Sequence, residues 1–122
     1  MTTTTPWAHL PNARHIDAVL ADVKARPEVW KAALDAAWGA GRSAAWGAGR
    51  SAAGYAAWDA AWDTARGAAW DAILALIAWD SAADLLDLSP DALRVLIDVA
   101  APPVCHQAAM LLPWAVVRES QT

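Results

Sequence analysis

AAWGAGRSAAWGAGRSAAGYAAWDAAWDTARGAAWD, residues 36–71, is the stretch that decides the fold of this chain. It opens with eight residues, AAWGAGRS, that occur twice in succession without a change, and it continues in four-residue units such as AAWD. A period of four does not fit the two-residue alternation of a half-buried strand, and alanine is the strongest intrinsic helix former. The repeat therefore predicts helix.

The tryptophans of this repeat do not fall on one face of a helix. An α-helix has 3.6 residues per turn, so each four-residue unit advances about 40° beyond a full turn. With Trp30 at 0°, Trp46 points to about 160° and Trp62 to about 320°. Two interpretations remain open: one straight helix with neighbours on all sides, or shorter helices that each bury a narrower face.

Length favours the shorter helices. One helix over residues 27–87 would extend roughly 90 Å, whereas a compact domain of this size has a radius of gyration of about 14 Å. The glycines between Gly39 and Gly49, together with Gly54, each cost about 1 kcal/mol in a helix interior. The break is therefore expected there.

We predict a helical hairpin with one arm from residue 27 to about 38 or 46 and a second arm from about 53 to 87. Alanine on the facing sides lets the two axes approach closely, and each tryptophan covers small residues of the opposite arm. Whether the duplicated octamer, residues 36–51, forms the turn or part of a helix is left open.

The flanking helices have conventional signals. Asn12 is a candidate N-cap for a helix over residues 13–25, and Pro27 suits the first turn of the next helix. The apolar face of the first helix consists of Ile16, Val19, Leu20 and Val23. Ser89 and Pro90 form an N-cap and a first helical position, followed by Asp91 near the positive end of the dipole.

The buried face of this later helix is predicted to be Leu93, Leu96 and Ile97. Pro102 and Pro103 end it, and a short last helix is expected to run to about Leu112 and stop at Pro113. The fold class is therefore all-α: a compact bundle of about five helices around the alanine- and tryptophan-rich hairpin. Residues 1–12 form an N-terminal arm, 13–117 one domain and 118–122 a tail.

Composition limits the function. The chain has 122 residues and a net charge of −4, which disfavours binding to nucleic acid or to anionic membranes because both depend on dense Lys and Arg. Up to Gly54 there are six basic and four acidic residues, and from Tyr55 onward three basic and nine acidic. Cys105 is the single cysteine, and the N-terminus lacks a signal-peptide pattern, so a cytoplasmic protein is expected.

Few residues suggest chemistry. Cys105 and His106 are adjacent and point about 100° apart on a helix, which does not make a catalytic pair. His9 and His15 have no metal-ligand spacing, and GAGRS lacks the strand and the Lys-Ser/Thr ending of a phosphate loop. A solvated or arginine-facing surface best explains the aspartates at positions 59, 63, 71, 80, 84 and 87. Neither catalytic residues, nor a cofactor, nor a metal is predicted.

Candidate contact residues come from the tryptophans and the charges. Most of the nine tryptophans are expected in the core, whereas Trp7 and Trp114, near the termini, are expected to be exposed and to anchor an interface. Arg42 and Arg50 are expected to reach the acidic face that carries Asp59 and Asp63 across the hairpin. The candidate interface is the set Trp7, Trp114, Arg42, Arg50, Asp59 and Asp63.

AAWDAAWD, followed by AILALIAWDSAADLLDLSPDALRVLIDVA and MLLPWAV, resembles uncharacterised alanine- and tryptophan-rich repeat proteins of actinobacteria and their bacteriophages. The chain is more distantly similar to the alanine-rich tetrad repeats of proposed immunity proteins of bacterial toxin systems. The resemblance covers residues 26–117 and implies a helical, non-enzymatic protein of a phage or mobile element. The glycine-rich octamers depart from the Asp/Arg filling of those tetrads.

Three functions stay open. The first is a protein-binding module that occupies a host, defence or toxin protein. The second is a structural component of a phage particle or another symmetric assembly, and therefore a homo-oligomer that can be part of the virion. The third is a small-ligand binder with a tryptophan-lined pocket. We favour the first, with a protein partner or a second copy as the binding partner.

Overall fold

The computed structural model describes residues 7–37, 42–64 and 69–119. In these ranges the chain forms six α-helices and one 3-10 helix without a strand, which confirms the all-α prediction and corrects the expected number of about five helices. The α-helices are α1 (Ala13–Ala25), α2 (Pro27–Ala37), α3 (Arg42–Thr64), α4 (Trp70–Ala78), α5 (Pro90–Val99) and α6 (Val104–Glu119). The 3-10 helix, Asp80–Leu85, connects α4 to α5. None of these helices has the length and apolarity required to cross a membrane.

The centre of the molecule is formed by α4 and α6. All eight residues from Trp70 to Ile77 are buried, and so is the stretch of α6 from Gln107 to Pro113. Because a helix that is apolar all round is covered on all sides, both helices lie inside the bundle. Accordingly, α6 contacts α2, α3, α4, α5 and the 3-10 helix.

The predicted hairpin is wrong in its second arm. Residues 53–87 do not form one helix, because α3 bends at Gly54 and ends at Thr64, and α4 ends at Ala78. Gly54 has φ 78° and ψ 168°, a conformation that is essentially restricted to glycine. In place of two long arms, α2 packs against α6, and α3 packs against α4 and α6.

The second octamer, residues 44–51, is helical within α3. Residues 38–41, in the first octamer, lie outside the described residues. In the second copy, Gly49 faces the core: a Cβ atom built there would lie 3.1 Å from Met110 Sδ and 3.4 Å from Leu74 Cδ2. A small residue is therefore required where α3 approaches α4 and α6, and the ring of Trp46 meets that of Trp70 at 6.0 Å across the same contact.

Two local predictions are wrong: that Pro113 stops the last helix, and that Asn12 caps the first one. Pro113 does not stop the last helix, since α6 continues through it to Glu119. A proline inside a helix costs about 3 kcal/mol, and the packing of α6 on its neighbours offsets that cost.

Asn12 precedes α1 but makes no side-chain cap. Its Nδ2 atom is directed to the end of α4, where it donates to the carbonyl oxygens of Leu76 (3.0 Å) and Trp79 (3.1 Å).

Candidate interaction surface

The start of α5 follows directly from its sequence. Ser89 Oγ accepts a hydrogen bond from Ala92 N at 3.2 Å, and Pro90 occupies the first position of the helix, so the predicted N-cap is confirmed. Leu93 is fully buried and forms a small apolar cluster with Ala108 and Leu112 of α6. The cap and the cluster orient α5, so the face of the helix opposite Leu93 is turned away from α6.

Two valines lie on that opposite face. The exposed fraction is 58% for Val95 and 73% for Val99, and these are the large apolar side chains that the described residues leave in solvent. At 100° per residue they are about 40° apart, whereas Leu93 and Ile97 each lie about 160° from Val95. The valines therefore form a short apolar ridge turned away from the core.

Carboxylates border this ridge on one side. On the same helical geometry Asp91 and Asp98 lie within about 60° of Val95. The side chain of Asp91 is 96% exposed, and Asp98 is exposed as well. Arg94 Nη1 contacts Asp91 Oδ1 at 3.3 Å, with 48% of the arginine side chain exposed. We refer to Asp91, Val95, Asp98 and Val99 together as the outer face of α5.

The C-terminal end of α5 adds partial negative charge to this face. The last turn has no basic residue, although a helix C-terminus has about −0.5 of an elementary charge and favours cations. The carbonyls of Asp98 and Val99 are among the last four of the helix, which have no partner within it, and the following Pro102 and Pro103 have no N–H to offer. Both prolines are exposed.

The tryptophan anchors predicted from the sequence lie elsewhere than expected. Trp7 is only 3% exposed, so its predicted exposure is wrong: a turn closed by the Leu10 N to Trp7 O hydrogen bond folds it onto α1. There its Nε1 donates to Asp17 Oδ1 at 2.9 Å. Trp114 is half-buried in α6, with its ring centroid 5.7 Å from that of Trp30. Both indoles pack within the bundle.

The charged candidates belong to α3. Arg50 and Asp59 are exposed on this helix. Arg42 and Asp63 lie in its first and last turns, and their side chains are outside the described residues. The structure does not place these four residues on the outer face of α5, which is on another helix. Their role in an interface stays a prediction.

The residues considered for chemistry are dispersed. Cys105 and His106 lie half-buried in the first turn of α6. Among the described residues no group of three or more His, Cys, Asp or Glu side chains is close enough to hold a metal ion.

Asp71 differs from the other described aspartates of the series at positions 59, 63, 71, 80, 84 and 87. Because it is fully buried in α4, the expectation of a solvated position is wrong for it.

Sequence reasoning missed the polar centre at Asp22 and the apolar ridge. Asp22 accepts from Arg26 Nη2 and from Trp30 Nε1, both at 2.6 Å, and so joins α1 to α2. Most buried indoles have such a partner, but nothing in the sequence identifies which carboxylate provides it. The signal for Val95 and Val99 was present, since they are the apolar residues of α5 that fall outside the predicted buried face.

Comparison with known proteins gives no relatives. No family model matches the chain, and no curated protein or solved structure matches it. The outer face of α5 is therefore interpreted from its own geometry and charge.

Proposed function

We propose that this chain is a non-enzymatic helical protein-binding module that acts by occupying a partner protein through the outer face of α5. The proposal includes a phage or mobile-element origin, which is what the resemblance of its repeats implies. On this proposal it works in the host cytoplasm, and the partner is a host, defence or toxin protein. The observation that carries the proposal is the exposure of Val95 and Val99 on an otherwise well-formed helix.

The two valines represent apolar area that folding leaves in water. Complete burial of a valine side chain is worth about 1.5–3 kcal/mol, so a partner that covers both gains a useful part of its binding free energy from them. Three more apolar residues, Ala101, Pro102 and Pro103, are exposed just after Val99 in the chain. An apolar centre with a charged border is the usual organisation of a protein interface.

The ridge is also held rigidly. Its helix is capped by Ser89 and packed through Leu93 onto α6, the central helix of the bundle. A contact surface in its final conformation loses little conformational entropy on binding. Exposed valines in a mobile segment would lack this advantage.

A specific observation favours one alternative, the symmetric assembly. In α3, Ala44, Gly47 and Ser51 are exposed at spacings of three and four residues, and a Cβ atom built on Gly47 would meet nothing within 4 Å. Such a row of small residues allows another helix to approach closely. This alternative places the contact on α3, whereas the favoured proposal places it on α5.

The test combines pull-down with sedimentation velocity. The whole chain, the V95S/V99S variant and an A18S/A21S control are immobilised and exposed to an actinobacterial lysate. Ala18 and Ala21 are exposed on α1, so the control makes two apolar-to-hydroxyl changes on a different helix. The free proteins are sedimented over a wide concentration range in parallel.

We expect one protein to be retained in stoichiometric amount by the wild type and the control, and to be lost with V95S/V99S. A retained protein that is unaffected by V95S/V99S would show that α5 is not the contact. A closed oligomer that needs no second protein would overturn the binding module in favour of the assembly, and weakening of that oligomer by G47L would place its contact on α3.

A further inference from the structure

We infer that the partner presents a basic segment to the outer face of α5: a stretch of protein with Lys or Arg side chains beside small apolar anchors. This inference rests on the proposed function, since it names the chemistry of the partner that the same face would bind. The combination of an apolar ridge, a carboxylate border and an uncompensated helix C-terminus specifies that chemistry.

The carboxylates give the first argument. Between residues 80 and 98 the chain has five aspartates and one arginine, and all six residues are exposed. One of the aspartates, Asp87, is paired with Arg118 of α6 at 3.7 Å. The arginine, Arg94, lies within 3.3 Å of Asp91, which leaves Asp98 as the charge nearest the valines on the C-terminal side. Charged residues across an interface are arranged with opposite sign. A partner that covers Val95 and Val99 therefore needs cations at its edge.

The end of the helix gives the second argument. Asp98 lies in the last turn of α5, where its negative charge adds to the negative end of the helix dipole. The carbonyls of Asp98 and Val99 are in the last turn and have no partner within the helix, and Pro102 and Pro103 add no N–H donor after it. A Lys ammonium or an Arg guanidinium has several N–H donors and fits both the carboxylate and these carbonyls.

A second copy of this chain meets the requirement poorly. Its exposed cations on α1 and α2 are Arg14, Lys24 and Lys31, but they alternate with exposed Asp17 and Glu28. The surface that α1 and α2 of a second copy offer is therefore mixed in sign. Nucleic acid is disfavoured more strongly, because its phosphates would face the aspartates.

The experiment uses the whole ¹⁵N-labelled chain and three synthetic helical peptides. The peptides share one leucine face and differ only in the remaining positions, which are all Lys, all Gln or all Glu. Amide chemical shifts locate the contact and give each Kd. The D91N/D98N variant removes the carboxylate border, V95S/V99S removes the ridge, and E28Q/D59N removes two exposed charges from other helices as the matched control.

We expect the Lys peptide to bind with amide shift changes centred on residues 91–101, about tenfold more tightly than the Gln peptide. D91N/D98N should abolish that difference, E28Q/D59N should preserve it, and V95S/V99S should weaken both peptides. Added salt should weaken the Lys peptide more than the Gln peptide.

Equal binding of the Lys and Glu peptides, or an equal loss with the E28Q/D59N control, would overturn the inference about charge. If lysate capture still depends on Val95 and Val99 in that case, the protein-binding function stands with a partner of different chemistry. If capture does not depend on these valines, the proposed function itself fails. Self-association abolished by V95S/V99S would identify a second copy as the occupant and also overturn the inference.

Discussion

Helices α5 and α6 pack against each other, but their boundaries and their buried sides are determined in different ways. The boundaries and the buried side of α5 follow from a cap, a proline and an apolar stripe, all within a dozen residues of sequence. In contrast, α6 continues through Pro113 and is buried along most of its length. The comparison teaches that an amphipathic surface helix obeys local rules, whereas a central helix is set by the neighbours that enclose it.

The largest expected effect on stability comes from truncating a buried side chain of α6, and it is compared with truncating an exposed side chain of α5. Leu111 of α6 is fully buried, and Leu111→Ala should lower the free energy of unfolding by about 2–5 kcal/mol through lost burial and a residual cavity. Val95→Ala on the outer face of α5 should change it by less than about 0.5 kcal/mol. Urea denaturation followed by far-UV circular dichroism measures both values. A comparable loss from the two variants would mean that the outer face contributes to the fold.

The same distinction explains what the sequence made predictable. Helix α1, residues 13–25, was predicted correctly from its 3.6-residue apolar period, although Asn12 does not cap it. The start of α5 was predicted correctly from its Ser89 cap. Both signals are local. The bend at Gly54 lies in the glycine region where a break was expected. The continuous second arm to residue 87 was wrong, because α4 ends at Ala78 and a 3-10 helix follows. The continuation of α6 through Pro113 depends on contacts with other helices, which a single stretch of sequence does not disclose.

The candidate surface follows this pattern too. Val95 and Val99 could have been identified from the period of α5, because they are apolar residues opposite its predicted buried face. The burial of Trp7 depends on a turn at the N-terminus and on Asp17 of α1, so the position of this tryptophan near the end of the chain was misleading. Proximity to a terminus is a weaker guide to exposure than helical phase.

A second prediction contrasts a remote cap with a local one. Asn12→Ala should destabilise the chain by about 1–3 kcal/mol, because it removes the buried donor to the carbonyls of Leu76 and Trp79 at the end of α4. Ser89→Ala removes an exposed cap and should cost about 1 kcal/mol. Thermal unfolding of both variants shows which of the two loses more stability.

Asn12→Asp is the decisive variant for this cap. A carboxylate is similar in size to the amide but is ionised near pH 7, has no hydrogen to donate and would face carbonyl oxygens. It should therefore be at least as destabilising as Asn12→Ala at that pH. A harmless Asn12→Asp would show that the side chain contributes only by filling space.

The smallest expected effect concerns two glycines of one octamer. Gly47 is exposed in α3 with no atom within 4 Å of a built Cβ, so Gly47→Ala should stabilise the chain by about 0.5–1 kcal/mol through helix propensity. Gly49→Ala has the same gain in propensity, but its Cβ would press on Met110 at 3.1 Å in a buried, close-packed site. We expect Gly49→Ala to leave stability unchanged or lower, and Gly49→Val to lower it clearly. Chemical denaturation of the three variants resolves the order, and a gain from Gly49→Ala equal to that from Gly47→Ala would mean that the close approach of α3 to the central helices does not require glycine.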